Sequence, residues 1–120
     1  MKSSIVVLAV AALSAVVPSA HAAPTKASVT VTITAEGTDM SGVVKSSRPA
    51  QCAAERTVKV FKLVDGVPHL WASDTTDLQD GRYVWSTGNT GTPGRFYAKL
   101  GATAACKGDV SPTIRVRRNN

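Results

Sequence analysis

The strongest constraint on this chain is an alternation with a period of two. Residues 28–34 read Ser-Val-Thr-Val-Thr-Ile-Thr, with branched apolar side chains on one side and hydroxyls on the other. That is the pattern of a half-buried β-strand. The pattern returns over residues 40–45, 57–64, 70–73, 82–86, 95–100 and 113–117, whereas no helical period follows the N-terminal segment. In 57–64, Val58 and Val60 lie on one face and Phe61 and Leu63 on the other, which predicts a strand in the middle of a sheet. Tyr83 and Trp85 share a face, and Phe96, Ala98 and Leu100 point inward. Residues 36–39 supply a turn, Asp65-Gly66 a tight hairpin, and residues 74–81 a polar, acidic turn. Residues 46–55, with Pro49 and Cys52, and residues 87–94, rich in Gly, Thr and Pro, read as loops. Seven short strands with closely spaced turns predict an all-β, seven-stranded Greek-key β-sandwich. Because Phe61, Trp71, Tyr83, Trp85, Phe96 and Tyr97 all fall between positions 61 and 97, its core is expected to centre there.

The N-terminus is built differently. Lys2 precedes an unbroken apolar and small-residue run from Ile5 to Val17, followed by Pro18 and by Ala20-His21-Ala22. One positive charge, a short apolar stretch and an Ala-x-Ala site form a secretory signal. A membrane-spanning helix needs about 20 apolar residues, and this run is shorter. The reading is a signal peptide over residues 1–22, cut after Ala22. Residues 23–120 then form a single β-sandwich domain with no membrane span, secreted or periplasmic.

Export decides the chemistry of the two cysteines. Cys52 and Cys106 are the only pair in the chain, and an even count in an exported protein reads as a disulfide. Zinc wants about four ligands, and beyond these two the exported part offers only His69. A catalytic thiol would have to stay reduced. No metal and no cofactor are expected.

The formal charge of +6 becomes +5 once Lys2 is removed with the signal. Along the chain the positive residues are scattered, which reads as a solubilising surface. Arg115, Arg117 and Arg118 form the one dense cluster, a candidate for weak, non-specific polyanion contact. A specific nucleic-acid reader would need basic residues interleaved with exposed aromatics, or a recognition helix. Neither is evident, so no specific nucleic acid is expected as a partner. His69, Ser73 and Asp74 lie too close together on one strand for a catalytic triad. Asp74, Asp77 and Asp80 lack the alternate spacing and final Glu of a calcium loop. The residues singled out for binding are Trp71, as an aromatic patch, and Trp85 and Arg95, which flank the loop at 86–94.

Several motifs in a fixed order carry a family resemblance. They are Cys52-x-x-x-Arg56-x-Val58-x-Val60, Thr76-Asp77 leading to Gly81-x-Tyr83, Gly94-x-Phe96-Tyr97-Ala98, and Cys106 followed by Ser111-x-x-Ile114-x-Val116. Together they span residues 40–117 and resemble the transthyretin-like, or carboxypeptidase-regulatory-like, domains of exported bacterial proteins. The turn before Tyr83 departs from that pattern, with three residues between Asp77 and Gly81 in place of two. The resemblance implies a Greek-key sandwich without catalysis, used as a structural or binding module. An antibody-type sandwich fits less well: Trp71 lies far beyond Cys52, and Ala104 stands where a Tyr belongs. The expected function is therefore a non-catalytic, exported module with an extracellular protein or polysaccharide as partner. The alternative is a small secreted inhibitor or effector acting through loops 46–56 and 101–111. A small hydrolase is the remote third.

Overall fold

The computed structural model of the protein describes residues 25–118. The signal assigned to residues 1–22 and its cut after Ala22 lie outside the described residues. In chain order the elements are β1 (Val29–Val31), β2 (Thr34–Glu36), β3 (Asp39–Ser46), α1 (Pro49–Cys52), β4 (Thr57–Val64) and β5 (Val67–Thr75). There follow β6 (Asp77–Gln79), β7 (Arg82–Asn89), β8 (Gly94–Leu100), β9 (Asp109–Val110) and β10 (Ile114–Val116). One sheet has the order β1-β3-β7-β6, with β2 also on β3. The other has the order β10-β8-β4-β5, with β9 also on β8. Every strand pair is antiparallel, and the two sheets pack as a sandwich. β4 lies between β5 and β8, as its two apolar faces predict.

Ten strands replace the seven expected, each addition for its own reason. Residues 28–34 do not run as one strand because the ladder to β3 is interrupted at Thr32, although the register is the same on both sides. The Thr32 amide donates to the Val43 carbonyl at 3.0 Å, while the Thr32 hydroxyl, not its carbonyl, accepts the Val43 amide at 2.9 Å. The freed Thr32 carbonyl accepts the indole N–H of Trp85 at 3.1 Å. Gly42 sits beneath this junction, where a Cβ would come within 1.9 Å of the Thr32 oxygen. A glycine is required there by close approach of backbone.

The acidic stretch 74–81 is mostly strand. Gln79 pairs with Arg82 across Asp80-Gly81, whose φ values of 50° and 77° match the 53° and 79° of Asp65-Gly66. Both dipeptides therefore supply the two positive φ values of a primed hairpin turn. Asp65-Gly66 lets β5 start at once, at Val67. β7 runs on to Asn89 because Met40 and Asp39 continue to pair with Gly88 and Asn89. β9 adds two residues beside Lys99 and Leu100. In the expected loop 46–55, Pro49 stands in the first turn of the short helix α1, where its fixed φ suits a helix start.

The core spreads along the whole domain instead of centring on residues 61–97. Trp85, Phe96, Ala98 and Leu100 are buried, but so are Val31, Met40, Val44 and Val116. Phe61 and Tyr97 lie outside it, half-buried. Two polar ties join distant parts of the chain. The Val31 amide donates to the Asp109 carboxylate at 2.8 Å. Ala27 pairs with Cys106, its amide donating to Ala105 and its carbonyl accepting from Lys107.

Thr76, 2 % exposed, holds the start of β4. Its hydroxyl donates to the Ala53 carbonyl at 2.6 Å and accepts the Arg56 amide at 3.0 Å. Thr76→Val keeps the shape but strands both main-chain groups, so urea unfolding should show a loss of about 1–3 kcal/mol. Thr76→Ser should retain most of the stability. A larger loss in Thr76→Ser than in Thr76→Val would mean that the methyl, not the hydroxyl, matters.

Candidate anion-binding face

In β4 and β8 the buried residues Val58, Val60, Phe96, Ala98 and Leu100 fix which side of the sheet points inward. Strand alternation then puts Lys59, Phe61, Arg95, Tyr97 and Lys99 on the outer side. Register sorts them into rows. Lys59 lies directly opposite Lys99, Phe61 opposite Tyr97, and, one strand over, Arg95 opposite Arg115. The Phe61 and Tyr97 rings stack, with centroids 5.4 Å apart and planes 18° from parallel. The lysine row stands about 7 Å along the strands on one side of the ring pair, and the arginine row about 7 Å on the other.

Like charges directly opposite one another in an antiparallel pair are destabilising, and this face holds two such pairs. No aspartate or glutamate occupies an outward position of β4, β5, β8 or β10. The nearby carboxylates are engaged elsewhere: Asp109 accepts the Val31 amide, and Asp74 accepts the Ser86 amide at 2.8 Å. Every charged side chain on the face is thus cationic, around an aromatic centre.

Two depressions bracket it. One, of about 510 Å³, is lined by Arg56, Lys59, Phe61 and Lys99 together with residues 101–103. The other, of about 330 Å³, lies between Pro93 and Arg117 and takes in Arg95 and Arg115. Arg56 is 9 % exposed. Its guanidinium donates to the carbonyls of Cys52 and Gly101, and burial pulls its pKa below the ordinary value. It remains charged, because an arginine does not deprotonate in a protein.

Beside Arg56 runs the disulfide Cys52–Cys106, with its Cα atoms 5.6 Å apart. It joins two connections and not the two sheets: Cys52 ends α1, and Cys106 lies between β8 and β9. A disulfide fits an oxidising compartment such as the periplasm or the extracellular space. Among the described residues no helix is long and apolar enough to cross a membrane.

The residues singled out from sequence fall in different places. Trp85 is 1 % exposed and belongs to the core, where its indole N–H is bound to Thr32, so it is not a contact residue. Trp71 is the unpaired residue of a bulge, since Val60 pairs with Ala72 and Phe61 with Leu70. Its ring meets Phe96 edge-on at 6.2 Å, and the Lys62 ammonium lies 5.0 Å from its centroid. Trp71 therefore packs at the sandwich edge, 43 % exposed, apart from the ring pair on the face. Arg95 and Arg115 stand on the face and Arg117 at its rim, whereas the Arg118 guanidinium donates to the Gly91 carbonyl at 3.0 Å. Basic residues interleaved with aromatics, not visible in the linear order, are assembled by strand pairing. Lys59, Lys99, Phe61 and Tyr97 were missed as site residues. The mirror-image triplets Lys59-x-Phe61 and Tyr97-x-Lys99 are the signal that points to them.

Asp74, Asp77 and Asp80 do not gather. Asp74 is tied to Ser86, while Asp77 starts β6 and Asp80 forms its turn. No protein-family model, curated protein or solved structure matches the chain.

Proposed function

We propose that this protein is a non-catalytic, exported β-sandwich module that binds an anionic polymer through the outer face of its β10-β8-β4-β5 sheet. The observation that carries the reading is the pair of like-charge rows, Lys59 opposite Lys99 and Arg95 opposite Arg115. A sheet that places cations opposite one another without an intervening carboxylate gives up stability unless an anion lies across it. The stacked Phe61 and Tyr97 rings add a firm floor between the rows. Export is supported by the signal-like N-terminus and by the disulfide. The two-sheet build also supports kinship with transthyretin-like domains, whose role as binding modules agrees with this reading. The polymer is an extracellular polysaccharide or wall polymer, the anionic chains that an exported basic protein meets.

Retention on immobilised dextran sulfate tests the reading. Bound protein should elute at a salt concentration that falls sharply when Lys59, Lys99, Arg95 and Arg115 are all changed to alanine. Its salt slope should shrink as contacts are removed. The control removes four charges elsewhere, at the exposed Lys45, Arg48, Arg82 and Lys107, and should shift elution much less. Equal shifts in the two variants would reduce the effect to net charge and end the proposal.

A further inference from the structure

Resting on that reading, the geometry points to a discrete site for a tetrahedral oxyanion, a phosphate or sulfate ester group of the polymer, in the depression between Lys59, Lys99 and Arg56. Three features single out this end of the face. Lys59 and Lys99 are exposed and directly opposite, so both ammonium groups can reach one bound group. Arg56 differs from every surface cation of the face in being buried and held in place by two main-chain carbonyls. Its orientation is fixed before any ligand arrives, which lowers the ordering cost of binding. No residue lining the depression is acidic, so its three positive charges have no neutralising partner within it. A tetrahedral oxyanion carries one or two charges and several strong acceptor atoms, and charge-assisted hydrogen bonds to Lys and Arg are the strong kind.

The disulfide makes the site's far wall rigid. Cys106 closes the loop that carries 101–103, and Cys52 supplies one of the carbonyls that hold Arg56. The arginine depression at the other end has neither a buried cation nor a covalent anchor among its lining residues. One end therefore fixes a single charged group, while the other attracts a chain more loosely.

The test is an amide NMR titration of the oxidised protein with sodium phosphate and, separately, sodium sulfate, at pH 7 and constant ionic strength balanced with sodium chloride. Saturable shifts should appear at Thr57, Lys59 and residues 101–103. Lys59→Ala with Lys99→Ala should weaken binding at least tenfold, and Arg95→Ala with Arg115→Ala should change it less than twofold. Tighter phosphate binding would identify a phosphate-bearing polymer, and tighter sulfate binding a sulfated glycan; either supports the site. Shifts that chloride alone reproduces, or that follow Arg95 and Arg115 instead, overturn it. If neither anion binds while dextran sulfate is still retained, the discrete site fails and the binding face stands. If the polymer is not retained either, the face itself fails.

Discussion

Replacing Cys52 and Cys106 together by alanine is expected to lower the melting temperature by about 15–30 °C, read by circular dichroism. The bond closes a sequence separation of 54, for which the chain-entropy account gives about 4 kcal/mol. A domain of this size holds only about 5–15 kcal/mol in total, so the loss is a large share of what keeps it folded. The bridge is supported on each side. Arg56 ties Cys52 to Gly101, and the Ala27 main chain pairs alongside Cys106. Reduction of the wild-type protein should reproduce the double variant. A melting temperature lowered by less than about 5 °C would mean that these flanking hydrogen bonds hold the two connections without the covalent link.

Gly42→Ala is expected to cost about 3–5 kcal/mol, above the usual range for overpacking because the obstacle is backbone. The new methyl would sit 1.9 Å from the Thr32 oxygen and 2.7 Å from the Trp85 indole nitrogen. To relieve it, the Thr32 carbonyl must turn away, and the Trp85 hydrogen bond goes with it. Denaturant unfolding followed by tryptophan fluorescence reports the change. Adding Trp85→Phe to Gly42→Ala should recover little, because the nearer clash remains. Substantial recovery in the double variant would place the obstacle in the ring instead.

These two residues also show what could and could not be read from the chain. The disulfide follows from two cysteines and the context of export, without any geometry. Strand alternation likewise predicts which way Phe96, Ala98 and Leu100 face, since it depends only on neighbours in sequence. The break at Thr32 depends on an indole 53 positions away, so local pattern reads straight through it. The short strand before Asp80-Gly81 is legible in principle, because the same dipeptide at Asp65-Gly66 signals a hairpin. Its aspartate-rich surroundings favoured a plain turn instead. The face itself was out of reach for a different reason. Lys59 and Lys99 become neighbours only when β4 and β8 align in one register. A slip of one residue would set Lys59 opposite Ala98 and send half of the charges inward. Trp85 shows the opposite error: size and aromaticity suggested a contact residue, while the core needed a large ring with a polar edge.

The pairing of Ala27 with Cys106, and of Val31 with Asp109, bears on the order in which the molecule can assemble. The first strand pairs with β3 nearby, but its other polar partners come almost 80 residues later, so the N-terminal portion cannot complete its contacts alone. Contacts this distant in sequence make folding slow and leave a partly assembled chain with open sheet edges. The domain must therefore mature in one late step, once residues 101–109 are present to receive the strand that came first. A chain ending before residue 101 would lack Cys106, Asp109 and the wall of the anion depression together. It would be neither a smaller version of the module nor a stable intermediate on the way to it.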